Sequence, residues 1–268
     1  MLRTFATLTA KAARQGSTLA RKVLEPAGEH KATIVWLHGL GDSPDGFAPL
    51  FQATQLFGES KLGEHIRVVL PDAPERPITV NGGMVMPGWY DIASLDRIGA
   101  DGPEAAEDVE GIAASAQDII ELVAEERALL RSGLDADLAN DGQRLPIVLG
   151  GFSQGGAMAL YAALRAELGL AGLVCWSSYV LAATESVELA TASSAASLPP
   201  LLIHHGREDP MVPLAWAKPG WDRIRAAWPE LSGSDLVEWD GLGHSVDIDQ
   251  VVALDKWLAH IFPLSRQL

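Results

Sequence analysis

Ser153 lies within the segment Gly151-Phe152-Ser153-Gln154-Gly155, directly after a short apolar stretch and directly before a helical pattern. A GxSxG sequence between a strand and a helix is typical of a nucleophilic serine, because the sharp turn exposes the hydroxyl and the helix N-terminus offers free N–H groups to negative charge. The alternative is a turn whose glycines only allow close helix packing. A serine hydroxyl alone is a poor nucleophile, so the hypothesis requires a base and an orienting carboxylate further along the chain.

Both groups are present downstream, in the chain order Ser, Asp, His that α/β-hydrolases use. Asp209 follows a predicted strand, and the proline after it favours an extended backbone at this position. His244 lies in the glycine-containing loop 241–245, between the last predicted strand and the final helix. Glu208 is the rival carboxylate. We interpret the remaining histidines as structural.

A second glycine turn, His38-Gly39-Leu40-Gly41-Asp42, follows the first strong strand pattern. An oxyanion hole needs two converging N–H donors, one from the residue after the nucleophile and one from a turn of this kind. We therefore expect the backbone amides of Leu40 and Gln154 to form such a hole. A tight turn that binds nothing is the alternative interpretation.

These residues require a scaffold that brings the ends of several strands together. Short branched-aliphatic stretches alternate with segments of helical spacing, which predicts an α/β fold with a mostly parallel central sheet and helices on both faces. Helical spacing occurs over about residues 105–131, from Ala157 to Leu164 and from Leu254 to Ile261. The predicted strands are Lys31–Leu37, Ile66–Leu70, Leu145–Leu149, Leu170–Trp176, Leu201–His205 and Asp235–Trp239.

Charge divides the chain into two parts. Residues 1–24 contain no acid and five cations, which are Arg3, Lys11, Arg14, Arg21 and Lys22, whereas the whole chain has a formal net charge of −15. The 15 cations and 35 acids from residue 25 onward leave a charge of −20. We predict a basic N-terminal extension, residues 1–24, and one α/β-hydrolase domain, residues 25–268. We expect a cytoplasmic protein, with a mitochondrial or plastid address in the extension as the alternative.

Composition disfavours several classes of partner and site. An acidic body repels nucleic-acid backbones and anionic lipid surfaces, so we expect no nucleic-acid partner and at most transient membrane contact. Cys175 is the only cysteine and can form neither an intramolecular disulfide nor a CxxC metal site. No apolar stretch reaches the roughly 18 residues of a membrane span. Serine-based hydrolysis requires no cofactor and no metal, and we predict neither.

Five segments follow one another in the order HGLGD (38–42), PERPITVNGGMVMPGWYD (74–91), GGFSQGGAMALY (150–161), HGREDPMVP (205–213) and GLGH (241–244). Together they resemble the acyl-protein thioesterase, lysophospholipase and carboxylesterase group of α/β-hydrolases, over about residues 31–262. The resemblance implies that Ser153 is the nucleophile, His244 the base and Asp209 its partner, and that the Leu40 and Gln154 amides form the oxyanion hole. The basic extension and the longer insertions near 130–143 and 182–198 depart from that group.

The resemblance also implies that the segment 74–91 helps to line an acyl-binding channel. We predict that Met84, Met86, Trp89 and Met211 contact the acyl chain, with core packing as the alternative for such side chains.

The predicted function is hydrolysis of thioesters or esters of medium to long acyl chains, with an acylated protein or a lipid ester as substrate. A carboxylesterase or lysophospholipase acting on small or lipid esters is the alternative within this class. A non-catalytic scaffold that binds an acyl ligand is the alternative outside it. We expect a monomer or a weak homodimer.

Overall fold

The computed structural model describes residues 17–52, 62–95, 107–133, 144–184, 199–227 and 236–262. Its strands are β1 Arg21–Leu24, β2 Ala32–Leu37, β3 Ile66–Pro71, β4 Glu75–Ile78, β5 Met84–Pro87, β6 Leu145–Phe152, β7 Leu170–Trp176, β8 Leu201–Gly206 and β9 Leu236–Trp239. Its helices are α1 Pro44–Gln52, α2 Val109–Gly133, α3 Gln154–Arg165, α4 Leu214–Ala227 and α5 Ile248–Ile261.

The central sheet has seven strands in the order β1-β3-β2-β6-β7-β8-β9, so β6, which leads into Ser153, lies in the middle. β1 pairs antiparallel with β3, and all other neighbouring strands of this sheet are parallel. β4 and β5 form a separate antiparallel hairpin. The predicted mostly parallel α/β sheet is confirmed. Because the strands are parallel, the loops after β2, β6 and β8 meet at one edge of the sheet, where open α/β sheets bind their ligands.

Helices cover both faces of the sheet because successive strand residues point in opposite directions. Val35 and Leu37 of β2 belong to a buried cluster that includes residues of α2, α3 and α4. Ile34 and Trp36 belong to a second cluster that includes residues of α1 and α5. Burial on both faces explains why the strands are continuous apolar stretches rather than alternating ones.

The sheet begins inside the predicted N-terminal extension. Arg21–Leu24 forms the antiparallel edge strand, and Leu19 before it is buried. The two cations of this strand are paired with acids of the body, since Arg21 lies 2.7 Å from Glu125 of α2 and Lys22 contacts Asp45 of α1. The domain boundary predicted at residue 24 is therefore corrected: charges that looked like part of a basic extension belong to an edge strand. Residues 1–16 lie outside the described residues.

Besides β1, three elements were absent from the sequence prediction, namely α1, α4 and the β4–β5 hairpin. Pro49 lies inside α1 and Pro219 inside α4, and an internal proline interrupts the pattern by which a helix is recognised. The insertions near 130–143 and 182–198 lie largely outside the described residues. In the part of the chain that the structure describes, no helix is long and apolar enough to cross a bilayer.

Candidate active site

Ser153 lies at the turn between β6 and α3. Its backbone has φ 54° and ψ −121°, a combination that residues with a Cβ atom rarely adopt and that is found at strained functional turns. The Ser153 amide donates a hydrogen bond to Trp176 O at 2.8 Å, which ties the turn to the end of β7. A Cβ atom on Gly155 would overlap the carbonyl oxygens of Leu37 and His38. Glycine is required there because α3 starts against the end of β2.

Side chains from three separate loops form one hydrogen-bonded chain at this edge. His244 Nε2 lies 3.0 Å from Ser153 Oγ, and His244 Nδ1 lies 2.7 Å from Asp209 Oδ2. In this arrangement Nδ1 carries the proton toward the carboxylate, so Nε2 is available to accept the proton of the serine hydroxyl. The side chain of Glu208, the rival carboxylate, is exposed to solvent, whereas Asp209 is buried. Asp209 is therefore the carboxylate that contacts the imidazole.

Hydrogen bonds keep Asp209 ionised in spite of its burial. Burial raises the pKa of Asp209, but the hydrogen bonds with His244 and with two backbone amides outweigh it, so the pKa lies below its usual value. Asp209 Oδ1 accepts from the amides of Met211 at 2.9 Å and Val212 at 2.8 Å. His205 lies 3.7 Å from the same carboxylate, but burial lowers the pKa of His205 and its Nε2 donates to Val212 O at 2.7 Å. A neutral His205 leaves His244 as the group that exchanges a proton beside Asp209.

The glycine turn between β2 and α1 passes beside the serine. A Cβ atom placed on Gly39 would lie 3.5 Å from Ser153 Cβ, and Gly41 has φ 74°, which favours glycine. Among the described residues, the amides of Leu40 and Gln154 donate to no protein acceptor. Gln154 is also the first residue of α3, where the helix dipole favours negative charge. Two unused donors, one in the turn that passes beside the serine and one directly after it, are suited to stabilise an oxyanion.

The four predicted acyl contacts do not share one environment. Met84 is 64% exposed and Met211 is 46% exposed. Met86 lies next to the glycine turn, since a Cβ atom on Gly41 would be 3.5 Å from its sulfur. Trp89 has no exposed surface. The prediction that the Trp89 ring contacts an acyl chain is therefore corrected, because residues 88–90 turn inward after β5 and place this ring in the core.

Sequence reasoning missed a buried polar network behind the two turns. The Gln154 side chain accepts from the Trp89 amide at 2.9 Å and donates to Tyr90 O at 2.8 Å. The Trp89 indole donates to His38 O at 2.9 Å, and Ser115 Oγ of α2 donates to Trp89 O. The one signal in the sequence was a glutamine within an otherwise small and apolar helix start, where a buried amide needs partners.

His38 and Ser178 support the same turns. The Ala73 amide donates to His38 Nε2 at 3.1 Å, so the other ring nitrogen carries the proton and donates to Gly39 O at 2.7 Å. Ser178 Oγ donates to Ser153 O at 2.8 Å. These hydrogen bonds fix the turn after β2 and the carbonyl of Ser153, and fixed donors are the condition for preorganised electrostatic stabilisation.

The described residues give little support to a metal site or to a cysteine nucleophile. No three His, Cys, Asp or Glu side chains there are grouped as metal ligands. Cys175 is buried in β7, burial raises the pKa of its thiol, and Sγ donates to Gly156 O at 3.4 Å. A thiol that stays protonated does not act as a nucleophile.

Comparisons with known proteins find relatives of similar sequence and fold. A model of the phospholipase/carboxylesterase family matches residues 19–262. Acyl-protein thioesterase 1 of Neurospora crassa is 34% identical over 250 residues, which cover 92% of this chain and 95% of that protein. Acyl-protein thioesterase 1 homolog 1 of Dictyostelium discoideum is 30% identical over 238 residues, which cover 87% and 92% of the two chains. The crystal structure of Zea mays acyl-protein thioesterase 2 has a TM-score of 0.68 to this chain at 29% identity, with 91% and 99% of the chains covered.

Proposed function

The chain belongs to the phospholipase/carboxylesterase family of hydrolases, and we propose that it is a serine hydrolase that cleaves thioesters or esters of medium to long acyl chains. One observation carries the proposal: the Ser153, His244 and Asp209 side chains form a continuous hydrogen-bonded chain. The chain of hydrogen bonds ends at a serine with a strained backbone, and the amide after it and the amide of Leu40 in the adjacent turn donate to no acceptor among the described residues. Nucleophile, base and oxyanion donors are the parts that acyl transfer requires.

The first half of the reaction transfers the acyl group to the enzyme. Ser153 Oγ attacks the acyl carbonyl carbon while His244 Nε2 takes its proton. The ionised Asp209 stabilises the imidazolium that results and holds the ring in place. The Leu40 and Gln154 amides donate to the oxygen that becomes negative in the tetrahedral intermediate. Collapse of this intermediate breaks the bond to the leaving group. The leaving group takes the proton from His244 as it departs, or leaves as a thiolate and takes up that proton afterwards, so that His244 is neutral again before the second half.

The second half releases the acyl group as a carboxylic acid. His244 removes a proton from a water molecule, and the resulting hydroxide attacks the carbonyl carbon of the acyl-serine. The same two amides donate to the second oxyanion. The bond from Ser153 Oγ to the acyl carbon then breaks, and His244 returns its proton to the serine. The cycle consumes one water and needs no cofactor.

We propose an acylated protein as the substrate and the cysteine thiolate as the leaving group. The relatives described above carry the name acyl-protein thioesterase. Met86 lies beside the Leu40 turn, and Met84 of the same strand is exposed, so the hairpin offers apolar surface near this turn. A thiol has a pKa of about 8.5, so it departs with little help from a general acid. Medium to long acyl chains fit an apolar rim because burial of each methylene contributes about 0.8 kcal/mol.

Carboxylesterase or lysophospholipase activity is the second candidate, because the matching family is described as phospholipase/carboxylesterase. All of these reactions use the same serine, base and amides, and they differ only in the leaving group and the acyl chain. The residues that would discriminate between the leaving groups belong to the rim of the site rather than to the hydrogen-bonded chain.

The proposal is tested by hydrolysis of three substrates by the full chain: a palmitoyl-thioester peptide, a lysophospholipid and p-nitrophenyl acetate. We expect the highest kcat/KM with the thioester peptide. A higher value with the lysophospholipid or with the acetate would replace thioesterase activity by the second candidate. Ser153→Ala measured in parallel gives the background rate. Hydrolysis of none of the three above that background would favour a scaffold that only binds an acyl ligand.

A further inference from the structure

We infer that Trp89 is a positioning residue that holds the two amide-bearing turns of the oxyanion hole at a set distance from each other. The inference rests on the proposed function, because it assigns a role to Trp89 only if the Leu40 and Gln154 amides stabilise an oxyanion. Trp89 itself touches no reacting atom in this account. It acts through the backbone of the two turns.

Trp89 is hydrogen-bonded to both turns at once. Its indole Nε1 donates to the carbonyl oxygen of His38, two residues before Leu40, at 2.9 Å. Its backbone amide donates to the side chain of Gln154, whose own amide is the second oxyanion donor, at 2.9 Å. The turn after β2 and the turn after β6 are thus connected through one residue that belongs to neither of them.

The segment that carries Trp89 is itself anchored. Ser115 Oγ of α2 donates to Trp89 O, and the Gln154 side chain also donates to Tyr90 O at 2.8 Å. Pro87 O, two residues before Trp89, accepts from the amide of Gly41 at 2.8 Å. We call residues 87–90 the brace. The brace therefore contacts the glycine turn on both sides of Leu40, and Ser115 of α2 anchors it by a hydrogen bond.

Burial distinguishes this role from an acyl contact. The Trp89 side chain has no exposed surface, so an acyl chain bound at the surface does not reach the ring without displacement of the hairpin. Its indole N–H instead donates a hydrogen bond from the brace to the carbonyl oxygen of His38. A phenylalanine ring would fill the same space but could not donate this hydrogen bond. The ring fills space in either case, but only the indole fixes the carbonyl of the turn.

The chemical consequence follows from the geometry of an oxyanion hole. Donors stabilise the intermediate only when they lie within hydrogen-bond distance of the oxygen that becomes negative, and small displacements of a catalytic group are costly in rate. Both acylation and deacylation pass through such an oxyanion. Loosening the brace therefore lowers both rate constants by similar factors and leaves KM nearly unchanged.

The test compares Trp89→Phe with the wild-type chain on p-nitrophenyl acetate, butyrate and octanoate. We expect kcat to fall by about tenfold to a hundredfold, by the same factor for each chain length, with KM within about twofold of wild type. Trp36→Phe is the matched control, because Trp36 is also buried but its Nε1 has no hydrogen-bond partner among the described residues. This control is expected to keep the wild-type kcat.

A second measurement reports on the oxyanion itself. A trifluoromethyl ketone adds to the serine and forms a tetrahedral oxyanion, so its inhibition constant for Trp89→Phe is expected to rise in proportion to the loss of kcat/KM. A purely structural loss of folded protein would lower activity without changing this inhibition constant.

Ser115→Ala keeps the inference testable if Trp89→Phe does not fold, because it removes only the hydrogen bond that anchors Trp89 O. We expect a smaller fall in kcat, again equal across the three esters. Wild-type kcat in a folded Trp89→Phe, or a loss that grows with acyl length, overturns the inference, and the second result restores an acyl contact. Wild-type activity in Ser153→Ala would instead contradict the proposed function, and this inference with it.

Discussion

Trp89 and Trp36 are both buried, and they lie in different core clusters on opposite faces of the central sheet. The indole of Trp89 donates to His38 O at 2.9 Å, whereas the described residues offer no hydrogen-bond partner to the indole nitrogen of Trp36. Trp36 packs instead against Trp176 with ring centroids 4.9 Å apart.

The two tryptophans belong to two regions with different chemistry. We call the region around Trp89 the turn face, defined by Trp89, Gln154 and Ser115. We call the region around Trp36 the aromatic face, defined by Trp36, Trp176 and His204.

The aromatic face tolerates polar atoms without partners. The His204 ring stacks on Trp176 at 5.8 Å with an interplanar angle of 2°, and neither ring nitrogen of His204 has a hydrogen-bond partner in the described ranges. Such groups lower stability but position nothing. On the turn face the named polar atoms are paired, and each pair holds a backbone segment beside the serine. Substitutions on the turn face are therefore expected to change the rate, and those on the aromatic face the stability.

The largest effect is expected from the carboxylate behind His244. Asp209→Asn keeps the shape of the side chain but offers the imidazole an amide, which favours the wrong tautomer, so kcat is expected to fall by roughly 10⁴. Glu208→Gln is the matched control and is expected to stay within about twofold of wild type, since exposed surface positions have small effects. Steady-state hydrolysis of p-nitrophenyl butyrate gives both values. A greater loss in Glu208→Gln would mean that the carboxylate is misassigned.

The aromatic face is expected to make folding sensitive to acid. Burial lowers the pKa of His204 from 6.5 to about 4. Between these values the unfolded chain binds a proton that the folded chain does not, so the free energy of unfolding falls as the pH falls. The contribution of His204 is expected to decrease by about 2 kcal/mol from pH 7 to pH 5.

Urea unfolding of wild type and of His204→Phe at pH 7 and pH 5 measures how much His204 contributes to this decrease in the free energy of unfolding. The difference between pH 7 and pH 5 is expected to be smaller in His204→Phe by that amount, while kcat at pH 7 stays at the wild-type value. The same pH difference in both proteins would show that folding does not lower the pKa of His204. A large loss of kcat would remove the distinction between the two faces.

A third region, the β4–β5 hairpin, is expected to affect specificity rather than rate or stability. Met84 and Met86 alternate with Val85 along β5, so the two methionines share one face of the strand and the valine lies on the other. Met84→Ala with Met86→Ala is expected to lower the ratio of kcat/KM on octanoate to that on butyrate by about fivefold, from lost apolar contact. Val85→Ala is the control. An unchanged ratio in the double variant would place the acyl chain elsewhere.

The smallest effect is expected at the N-terminus. Deletion of residues 1–16 is expected to leave kcat within a few-fold of wild type, because the family match and all the predicted catalytic residues lie beyond them. Deletion of residues 1–24 removes β1 and the Arg21 to Glu125 ion pair, so a lower Tm is expected. Equal Tm values for the two deletions would show that the edge strand does not stabilise the domain.

A fluorescent fusion of residues 1–30 separates the proposed cytoplasmic location from an organelle address.

The sequence predicted best what is local along the chain. The glycine-flanked Ser153 and the six strands around it depend on residues within a few positions of each other, and the confirmed α/β sheet follows from that pattern. The roles of Asp209 and His244 remain predictions, although the structure brings His244 to the serine and Asp209 to His244. Their approach depends only on parallel strands that end at a common edge.

What the sequence did not predict depends on contacts distant along the chain. Trp89 was expected to touch the acyl chain because it lies in the segment 74–91 that the resemblance assigns to the channel, but its environment is set by Gln154 and Ser115, far away in sequence. Arg21 was expected in a basic extension, but its partner Glu125 follows it by more than a hundred residues. Exposure and pairing of a side chain are tertiary properties, and spacing alone does not report them.

The central claim is that Ser153 becomes covalently acylated through His244. Intact-mass spectrometry of the full chain after treatment with a fluorophosphonate tests it most directly, with peptide mapping of the adduct. We expect one adduct per chain, located on Ser153, none in Ser153→Ala, and much slower labelling in His244→Ala while both variants keep the wild-type circular dichroism spectrum. An equal adduct in Ser153→Ala, or an adduct mapped to another residue, would contradict the account.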